Sequence, residues 1–296
     1  MEPIAKTLLE RFQIRKNARQ KADFYNWLET LCKKNGTSCR VESGGLLNSR
    51  NIVFGDPDTA EILLTAHYDT CARMPFPNLL FPRNILLTFL VQLGCLLPIF
   101  LIWGLLVAFA LRWIGAPHFF APIYAAGLVA FLLSIMIGPA NPHTANDNTS
   151  GVVTALRIWF SLSEKQRAKT ACVLFDHEEL GLIGSAQFAK QHRHAAKKAL
   201  VLNFDCVSDG DWMLFVAKPG AAKHTMFHAL QKACETAATN GKQVRFYPTK
   251  TTFYPSDQMN FKRSIGIAAF HKKALGYRVG RIHTARDTVF DESNID

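Results

Sequence analysis

Histidine and carboxylate side chains recur in five short stretches of the sequence. The stretches are AHYDT (66–70), ANDNTSG (145–151), FDHEELG (175–181), NFDC (203–206) and IHTARDT (282–288). Mixed imidazole and carboxylate ligands suit Zn²⁺ or a similar divalent ion. Two such ions about 3.5 to 4 Å apart can hold both a water nucleophile and a substrate oxygen. The residue types therefore predict a site for divalent cations, in which one carboxylate would bridge two ions.

Each stretch taken alone has an ordinary structural explanation. His67 and Asp69 alternate along a predicted strand and share a face, as a buried hydrogen-bonded pair would. Asp147 precedes Thr-Ser-Gly-Val and fits a helix N-cap, while Glu178 and Glu179 fit solvated carboxylates at a helix start. The combination favours a metal site, because five stretches of one chain together supply histidines and several carboxylates.

Apolar runs alternate with amphipathic segments along most of the chain. This alternation predicts one α/β domain with a largely parallel sheet, and sites in such sheets collect at the carboxyl ends of strands. Residues 1–33 carry apolar side chains at helical spacing, and Asn240-Gly241 predicts a turn. The predicted strands are 51–54, 62–66, 171–175, 199–204, 212–216, 244–247 and 267–270, and the predicted helices are 149–162, 182–192, 223–237 and 256–262.

Two long uncharged apolar runs separate the first two candidate ligand stretches. Residues 84–111 comprise 28 residues without a charge, and residues 119–138 form a second run of 20. A hydrocarbon core of about 30 Å needs about 20 helical residues, so both runs are long enough to span a bilayer. We predict a transmembrane helical hairpin, 84–140, inserted into a discontinuous domain formed by 1–83 and 141–296. The alternative is a hydrophobic helix pair packed onto a soluble core.

The hairpin provides a topological check on the predicted metal site. His67 and Asp147 must reach the same cations, so they must lie on the same side of the bilayer, and the number of spans between them must be even. Two spans meet that condition. Arg112 is the only charged residue between Asn84 and Asn146, and the start of the chain lacks the apolar region of a secretory signal. The positive-inside tendency therefore predicts two spans with the catalytic domain in the cytoplasm.

The composition argues against several protein classes. A charged fraction of 19% and an apolar fraction of 49% do not fit a disordered chain or a coiled coil. The seven cysteines lack C-x-x-C spacing, which argues against a disulfide framework or a structural zinc ribbon. The net charge of +11 favours anionic partners. Because the basic residues are dispersed and form no recognition motif, we expect a lipid bilayer and no nucleic acid among the partners.

The five stretches resemble, in the same order, those of the co-catalytic di-zinc aminopeptidases, peptidase family 28 of the metallopeptidases. The resemblance covers about residues 61–69 and 146–291 and includes SDQMNF (256–261). It implies the zinc-peptidase fold, a three-layer α/β/α sandwich with a mostly parallel mixed sheet. Two features depart from the family pattern: Gln258 stands where relatives often carry histidine, and the hairpin separates the first ligand from the bridging one.

The resemblance also implies a set of metal ligands. His67 and Asp205 would hold one divalent ion, and Glu179 and His283 would hold the other. Asp147 would bridge the two ions, for which Zn²⁺ is the expected metal.

Two further residues would act on the ligands or the substrate. Glu178 would be the general base, taking a proton from the water between the two ions so that the resulting hydroxide attacks the peptide carbonyl. Asp69 would accept a hydrogen bond from the distal ring nitrogen of His67 and fix the tautomer of that ring. The resemblance further implies a cis peptide bond between Asp147 and Asn148.

The function implied by the resemblance is that of a membrane-anchored di-zinc metallo-aminopeptidase, which hydrolyses the amino-terminal peptide bond of peptides with a free amino terminus. Two alternatives stay open. One is a glutaminyl-cyclase-like acyl transfer enzyme, and the other is a membrane-bound adaptor whose catalytically silent domain binds peptides or lipid. The sequence leaves open the preferred amino-terminal residue, the native metal, the oligomeric state and whether the hairpin is only an anchor.

Three residues beside the site stretches have competing interpretations. Tyr254 can donate to a developing oxyanion or pack within a loop, and we favour loop packing. Cys71 and Cys206 can offer thiol ligands, but we interpret both as small buried hydrophobic residues.

Overall fold

The computed structural model describes residues 4–45, 47–237 and 242–295, so the predicted turn at Asn240-Gly241 lies outside the described residues. The first part of the chain forms two helices and three strands. These are α1 (Ile4–Arg11), α2 (Ala18–Lys34), β1 (Cys39–Gly44), β2 (Ser49–Phe54) and β3 (Ile62–His67).

The chain then leaves the sheet, forms two long helices and returns to complete the sheet. The long helices are α3 (Ile85–Trp113) and α4 (Phe120–Ile137). The returning chain forms α5 (Gly151–Ser161), α6 (Glu164–Arg167), β4 (Thr170–Phe175), α7 (Ile183–Gln191), α8 (Arg193–Lys198), β5 (Leu200–Phe204), β6 (Trp212–Ala217), α9 (Pro219–Ala222), α10 (Phe227–Ala237), β7 (Gln243–Pro248), β8 (Ser264–Lys273) and β9 (Gly276–Arg278).

The described strands form one mixed sheet with a parallel centre. The strand order is β1-β2-β4-β3-β5-β8-β6-β7, and β9 pairs with β8. The four central strands β4, β3, β5 and β8 run parallel to one another, whereas β2 joins β4 and β6 joins β8 in antiparallel fashion. The carboxyl ends of the central strands therefore lie along one edge of the sheet. The prediction of a mostly parallel mixed sheet is confirmed.

Helices cover both faces of the sheet because its central strands are apolar on both sides. All six residues of β4 are buried. One face packs against α1, α2 and α5 through side chains such as Leu8, Phe24 and Leu156. The other face packs against α7 and α8 through side chains such as Phe188 and Ala195. The result is the predicted three-layer arrangement, with the core divided between the two faces.

Several element bounds differ from the predictions. Strands β1 and β9 were not predicted, because β1 lies at the sheet edge with alternating partial exposure and β9 is three residues long. The predicted helix 223–237 corresponds to α10, which begins only at Phe227, and the short helix α9 before it was not predicted. The predicted helix 256–262 is only a short 3₁₀ turn, Asp257–Asn260, because this segment packs under the sheet edge and buries Asp257 and Gln258.

Helices α3 and α4 form an antiparallel pair that packs mainly against itself. The indole of Trp103 donates to the carbonyl of Tyr124 at 3.3 Å, and the rings of Phe100 and Phe131 meet edge to face at 5.7 Å. Among the described side chains of the pair, only Val107 and Leu111 are buried. The 29 residues of α3 extend about 43 Å at 1.5 Å per residue. Both helices are long and apolar enough to cross a membrane.

The start of α3 is bonded to the segment that leads into it from the sheet. The hydroxyl of Thr88 accepts from the amide of Phe81 at 2.9 Å. The side-chain amide of Gln92 donates to the side chain of Asn78 at 3.0 Å and to the carbonyl of Leu79 at 3.2 Å. The first two turns of α3 therefore hold residues 78–81 in place.

Candidate metal centre

The five sequence stretches converge at one edge of the sheet. His67 is the last residue of β3, and Asp205 directly follows β5. Glu179 lies in the loop after β4, Asp147 lies in an irregular turn before α5, and His283 lies in the loop after β9. The parallel centre of the sheet explains the convergence of the residues after β3, β4 and β5, because carboxyl ends of parallel strands meet at one edge.

Asp147 lies between the two histidines and presents one carboxylate oxygen to each. Its Oδ1 is 3.3 Å from Nε2 of His67, and its Oδ2 is 3.0 Å from Nε2 of His283. On one side, Oδ1 of Asp205 is 3.7 Å from Nε2 of His67. On the other side, Oε2 of Glu179 is 3.4 Å from Nε2 of His283. The five predicted ligands thus form two donor groups that share Asp147.

The backbone around Asp147 is held by side chains that offer no ligand. The carboxylate of Asp287 accepts from the amides of Asn146 at 2.8 Å and Asp147 at 3.0 Å. The side-chain amide of Asn148 donates to the carbonyl of Phe204 at 2.9 Å, and its oxygen accepts from the amide of Gly151 at 2.9 Å. The peptide bond between Asp147 and Asn148 is cis, as the resemblance implied.

Asp69 holds the backbone of the two glutamates. Its carboxylate oxygens accept from the amides of Glu178 at 3.1 Å and Glu179 at 3.3 Å. The ring Nδ1 of His67 lies 3.1 Å from the backbone carbonyl of Asp69 and 3.6 Å from its carboxylate. The nearer acceptor for the ring is therefore the carbonyl, and the Asp69 side chain positions the segment that carries the predicted base.

Glu178 lines the same cavity as the donor groups, with a volume of about 260 Å³. One oxygen each of Glu178 and Glu179 and one ring nitrogen of His67 lie within 4.8 Å of one another. Burial raises the pKa of Glu178 well above its usual value, against the lowering effect of His67. Asp257 is fully buried nearby, and burial raises its pKa to about 7.

Burial and the neighbouring charges shift the pKa values of the donors. Burial raises the pKa of Glu179 to about 8, although His283 opposes this shift. Burial disfavours the charged form of His283, but the charges of Glu179 and Asp147 outweigh burial and raise its pKa to about 9. Burial also acts to raise the pKa of Asp147, yet His283 and His67 hold that pKa well below its usual range.

These observations fit a pair of divalent cations. Buried carboxylates outnumber the imidazoles beside them, and buried charge is costly unless it is paired or coordinates a metal. Oε1 of Glu179 is buried and has no hydrogen-bond partner among the described residues. Each donor group combines imidazole nitrogen with carboxylate oxygen, a set that suits Zn²⁺. The shared aspartate between two such groups is the arrangement that a two-metal site requires.

Two buried cations beneath the site were not predicted from the sequence. Arg15 is fully buried, and its Nε donates to the carbonyl of Tyr68 at 2.6 Å. Burial lowers the pKa of Arg15 to about 10. Lys21 pairs with buried Asp176 at 2.5 Å. Neither residue carries a local sequence signal, because each lies in a helical or loop segment far from its partner along the chain.

The sequence predicted no role for two further acidic residues near the ligands, although both lie in stretches that carry the family resemblance. Asp257 belongs to SDQMNF, and Asp287 follows His283 in IHTARDT. Tyr254 donates its hydroxyl to the carbonyl of Asp205 at 3.1 Å while lining the cavity. Its hydroxyl is therefore engaged in holding the segment after β5, in agreement with a packing role.

Comparison with solved structures supports the fold assignment. The chain is similar to the Legionella pneumophila LapA aminopeptidase, with a TM-score of 0.55 and 14% identity over 99% of this chain and 65% of that chain. It is similar to the Porphyromonas gingivalis glutaminyl cyclase, with a TM-score of 0.60 and 16% identity over 98% of this chain and 92% of that chain.

A third solved structure is similar to this chain to about the same degree. The leucine aminopeptidase precursor of Bacteroides thetaiotaomicron has a TM-score of 0.56 and 15% identity over 99% of this chain and 90% of that chain. At these identities the likeness concerns the fold. A search of curated protein sequences found no match.

A family model relates the chain to known proteins at the level of sequence. The model described as peptidase family M28 matches residues 129–295, which is more than half of the chain. The matched segment contains Asp147, Glu179, Asp205 and His283, together with Glu178. This chain therefore belongs to peptidase family M28.

Proposed function

We propose that this protein is a membrane-anchored aminopeptidase that uses two Zn²⁺ ions. The observation that carries the proposal is the position of Asp147, whose two carboxylate oxygens face His67 and His283 at 3.3 and 3.0 Å. In this proposal, His67 and Asp205 hold one ion, and Glu179 and His283 hold the other. Membership of a peptidase family supports hydrolysis of a peptide bond as the reaction.

When bound, the two cations polarise the substrate carbonyl and lower the pKa of the attacking water. The chain itself supplies the proton transfers. Glu178 lines the cavity beside the donor groups and takes a proton from water, then returns it to the leaving amine. Asp69 keeps Glu178 in position by accepting from its backbone amide at 3.1 Å. A buried carboxyl group suits this exchange, because burial raises the pKa of Glu178 above its usual value.

The size and charge of the cavity favour an amino-terminal residue as the part of the substrate that is bound. A volume of about 260 Å³ lies below the range of about 300–1,000 Å³ typical of small-molecule pockets. A cavity of this size favours the binding of a single terminal residue. Glu178, a carboxylate of the cavity that is assigned to neither ion, favours the positive charge of a free amino terminus. The expected substrates are therefore peptides with a free α-amine.

A second reaction deserves a direct test because of one structural observation. The similarity to a glutaminyl cyclase has a TM-score of 0.60, compared with 0.55 for the LapA aminopeptidase. Cyclisation of an amino-terminal glutamine releases ammonia, whereas aminopeptidase action releases a free amino acid. Two complete donor groups favour the hydrolase, since two cations can hold both the nucleophile and the carbonyl oxygen.

We further propose that residues 84–140 anchor the protein in a bilayer as an inserted hairpin. Residues 1–83 and 141–296 would then form one discontinuous catalytic domain in the cytoplasm. The exposed apolar side chains of α3 and α4 support this proposal. Cysteines introduced at Gly115, in the connection of the hairpin, and at Thr59, in the domain, can be labelled with an impermeant maleimide in intact cells. The proposal predicts labelling at position 115 and none at position 59.

The enzymatic proposal is tested with protein purified in detergent. Aminoacyl amides should be hydrolysed, a chelator should stop the reaction, and metal analysis should find about two ions per chain. Glu178→Gln should lower kcat by about 10²- to 10⁴-fold, as expected for loss of a general base, while both ions are retained. Glu164→Gln, at an exposed helix start, is the matched control and should keep full activity.

Three results would contradict the proposal. Full turnover by Glu178→Gln would show that Glu178 is not the general base. A folded chain that binds no metal would support the silent adaptor instead, and release of ammonia from glutaminyl peptides without amino acid release would support the cyclase.

A further inference from the structure

Cys71 lies against one half of the candidate metal centre. Its Sγ, a carboxylate oxygen of Glu179 and a ring nitrogen of His283 lie within 4.8 Å of one another. Cys71 is 1% exposed. None of the five ligands implied by the family resemblance is a cysteine, so a thiol at this place is an additional donor.

The surroundings of Cys71 differ from those of the other buried cysteines. Cys32 and Cys172 belong to the large apolar cluster on one face of the sheet, and Cys206 packs with Tyr254 and apolar residues of β6 and β8. Cys71 belongs to none of the three apolar clusters that the described residues form. Cys71 is buried, as the sequence-based interpretation has it, but its neighbours include the polar groups of Glu179 and His283.

The backbone of Cys71 is fixed by contacts with the chain that returns from the hairpin. Its carbonyl accepts from the amide of Asn141 at 3.1 Å, and the next residue, Ala72, forms an antiparallel bridge with Ala140. The amide of Met74 also donates to the carbonyl of His283 at 2.7 Å. These bonds hold the segment that carries the thiol beside the segment that carries His283.

A separate observation concerns Glu179, which lies in the same half of the candidate metal centre as Cys71. The side chain of Glu179 is 7% exposed, and its Oε1 is buried without a hydrogen-bond partner among the described residues. A buried acceptor left unpaired is destabilising. A cation at this position would satisfy that oxygen, and Sγ of Cys71 lies within 4.8 Å of a carboxylate oxygen of the same Glu179.

We propose that Cys71 is a thiolate ligand of the divalent cation held by Glu179 and His283. This inference rests on the proposed metal function and adds a sixth protein ligand to it. The thiol loses its proton to solvent when the metal binds, and sulfur, nitrogen and oxygen then surround the ion, all of which Zn²⁺ accepts. The other ion, with His67 and Asp205, has only nitrogen and oxygen ligands. The two positions are therefore unequal, and a soft ion such as Cd²⁺ should prefer the Cys71 position.

Cobalt substitution tests the proposal without measuring activity. Metal-free protein in detergent, kept reduced with a phosphine so that no buffer thiol competes, is loaded with Co²⁺ and its bound metal is counted. A thiolate bound to Co²⁺ gives an intense near-ultraviolet charge-transfer band, which imidazole and carboxylate ligands do not give. We expect this band in the wild type and in Cys206→Ser, and its loss in Cys71→Ser while two ions remain bound.

X-ray absorption of the wild-type zinc form provides a measurement that needs no variant. A sulfur neighbour at about 2.3 Å, beside nitrogen and oxygen neighbours at about 2.0–2.1 Å, is expected. Two bound ions without a sulfur neighbour and without the near-ultraviolet band would overturn the Cys71 assignment and leave the proposed function intact. Binding of no metal at all would overturn both. A band that persists in Cys71→Ser would overturn the assignment by placing the thiolate on another cysteine.

Discussion

Replacing Asp287 with asparagine tests how the proposed bridging ligand is held. Asp287 is 1% exposed, and its carboxylate accepts from the backbone amides of Asn146 at 2.8 Å and Asp147 at 3.0 Å. Asparagine keeps the size of the side chain but has one acceptor oxygen. Its NH₂ group would face one of the two backbone amides, so Asp287→Asn loses one charge-assisted hydrogen bond and leaves a buried donor unpaired.

The expected magnitude follows from that lost bond. A hydrogen bond to a charged group contributes about 1.5–3 kcal/mol. Because about 1.4 kcal/mol corresponds to a tenfold change in affinity, zinc should bind about 10- to 100-fold more weakly to Asp287→Asn. The same range is typical when residues that orient metal ligands are changed, about 10- to 100-fold. Loss of a negative charge beside the cations weakens metal binding in the same direction.

The assay is a titration of metal-free protein with Zn²⁺ in competition with a chromophoric chelator. Asp291→Asn is a matched control from the same segment, because Asp291 is bonded to Lys242 and Ser293. Circular dichroism shows whether each variant is folded. If folded Asp287→Asn binds zinc as tightly as the wild type, the reasoning is wrong. If the control weakens zinc binding equally, the effect would be a general one on the C-terminal segment.

Three further predictions concern residues around the site. Asp69→Asn should lower kcat about tenfold with unchanged metal content, because one of the two glutamate amides loses its acceptor. Steady-state kinetics with metal analysis would show this, and normal kcat would contradict it. Gln92→Leu breaks the bond of α3 to Asn78, which lines the cavity, and should raise KM for peptides without loss of metal. An unchanged KM would show that the contact between α3 and Asn78 does not affect substrate binding. Lys21→Met leaves the carboxylate of Asp176 buried without its cation and should destabilise the fold by about 3–5 kcal/mol. Its thermal midpoint in detergent should fall well below that of the wild type, and equal midpoints would refute the ion-pair argument.

Much of the fold and the chemical character of the site could be predicted from the sequence. The alternation of apolar runs predicted an α/β sheet with a parallel centre, because strands covered on both faces need apolar residues at every position. The uncharged runs predicted the two long helices, because length and apolarity are local properties of a segment. The residue types predicted a site for divalent cations, and the resemblance to the peptidase family implied His67, Asp147, Glu179, Asp205 and His283 as its ligands.

Only the tertiary structure decided how these residues are held together. Asp287 bonds to amides 141 and 140 positions away, and Lys21 pairs with an aspartate 155 positions away. No local spacing predicts such contacts, since they depend on which strands become neighbours. The structure likewise placed the carboxylate of Asp69 against two backbone amides and the thiol of Cys71 beside His283. Residue type determines which atoms can bind a metal, while folding over long chain separations determines which of them meet.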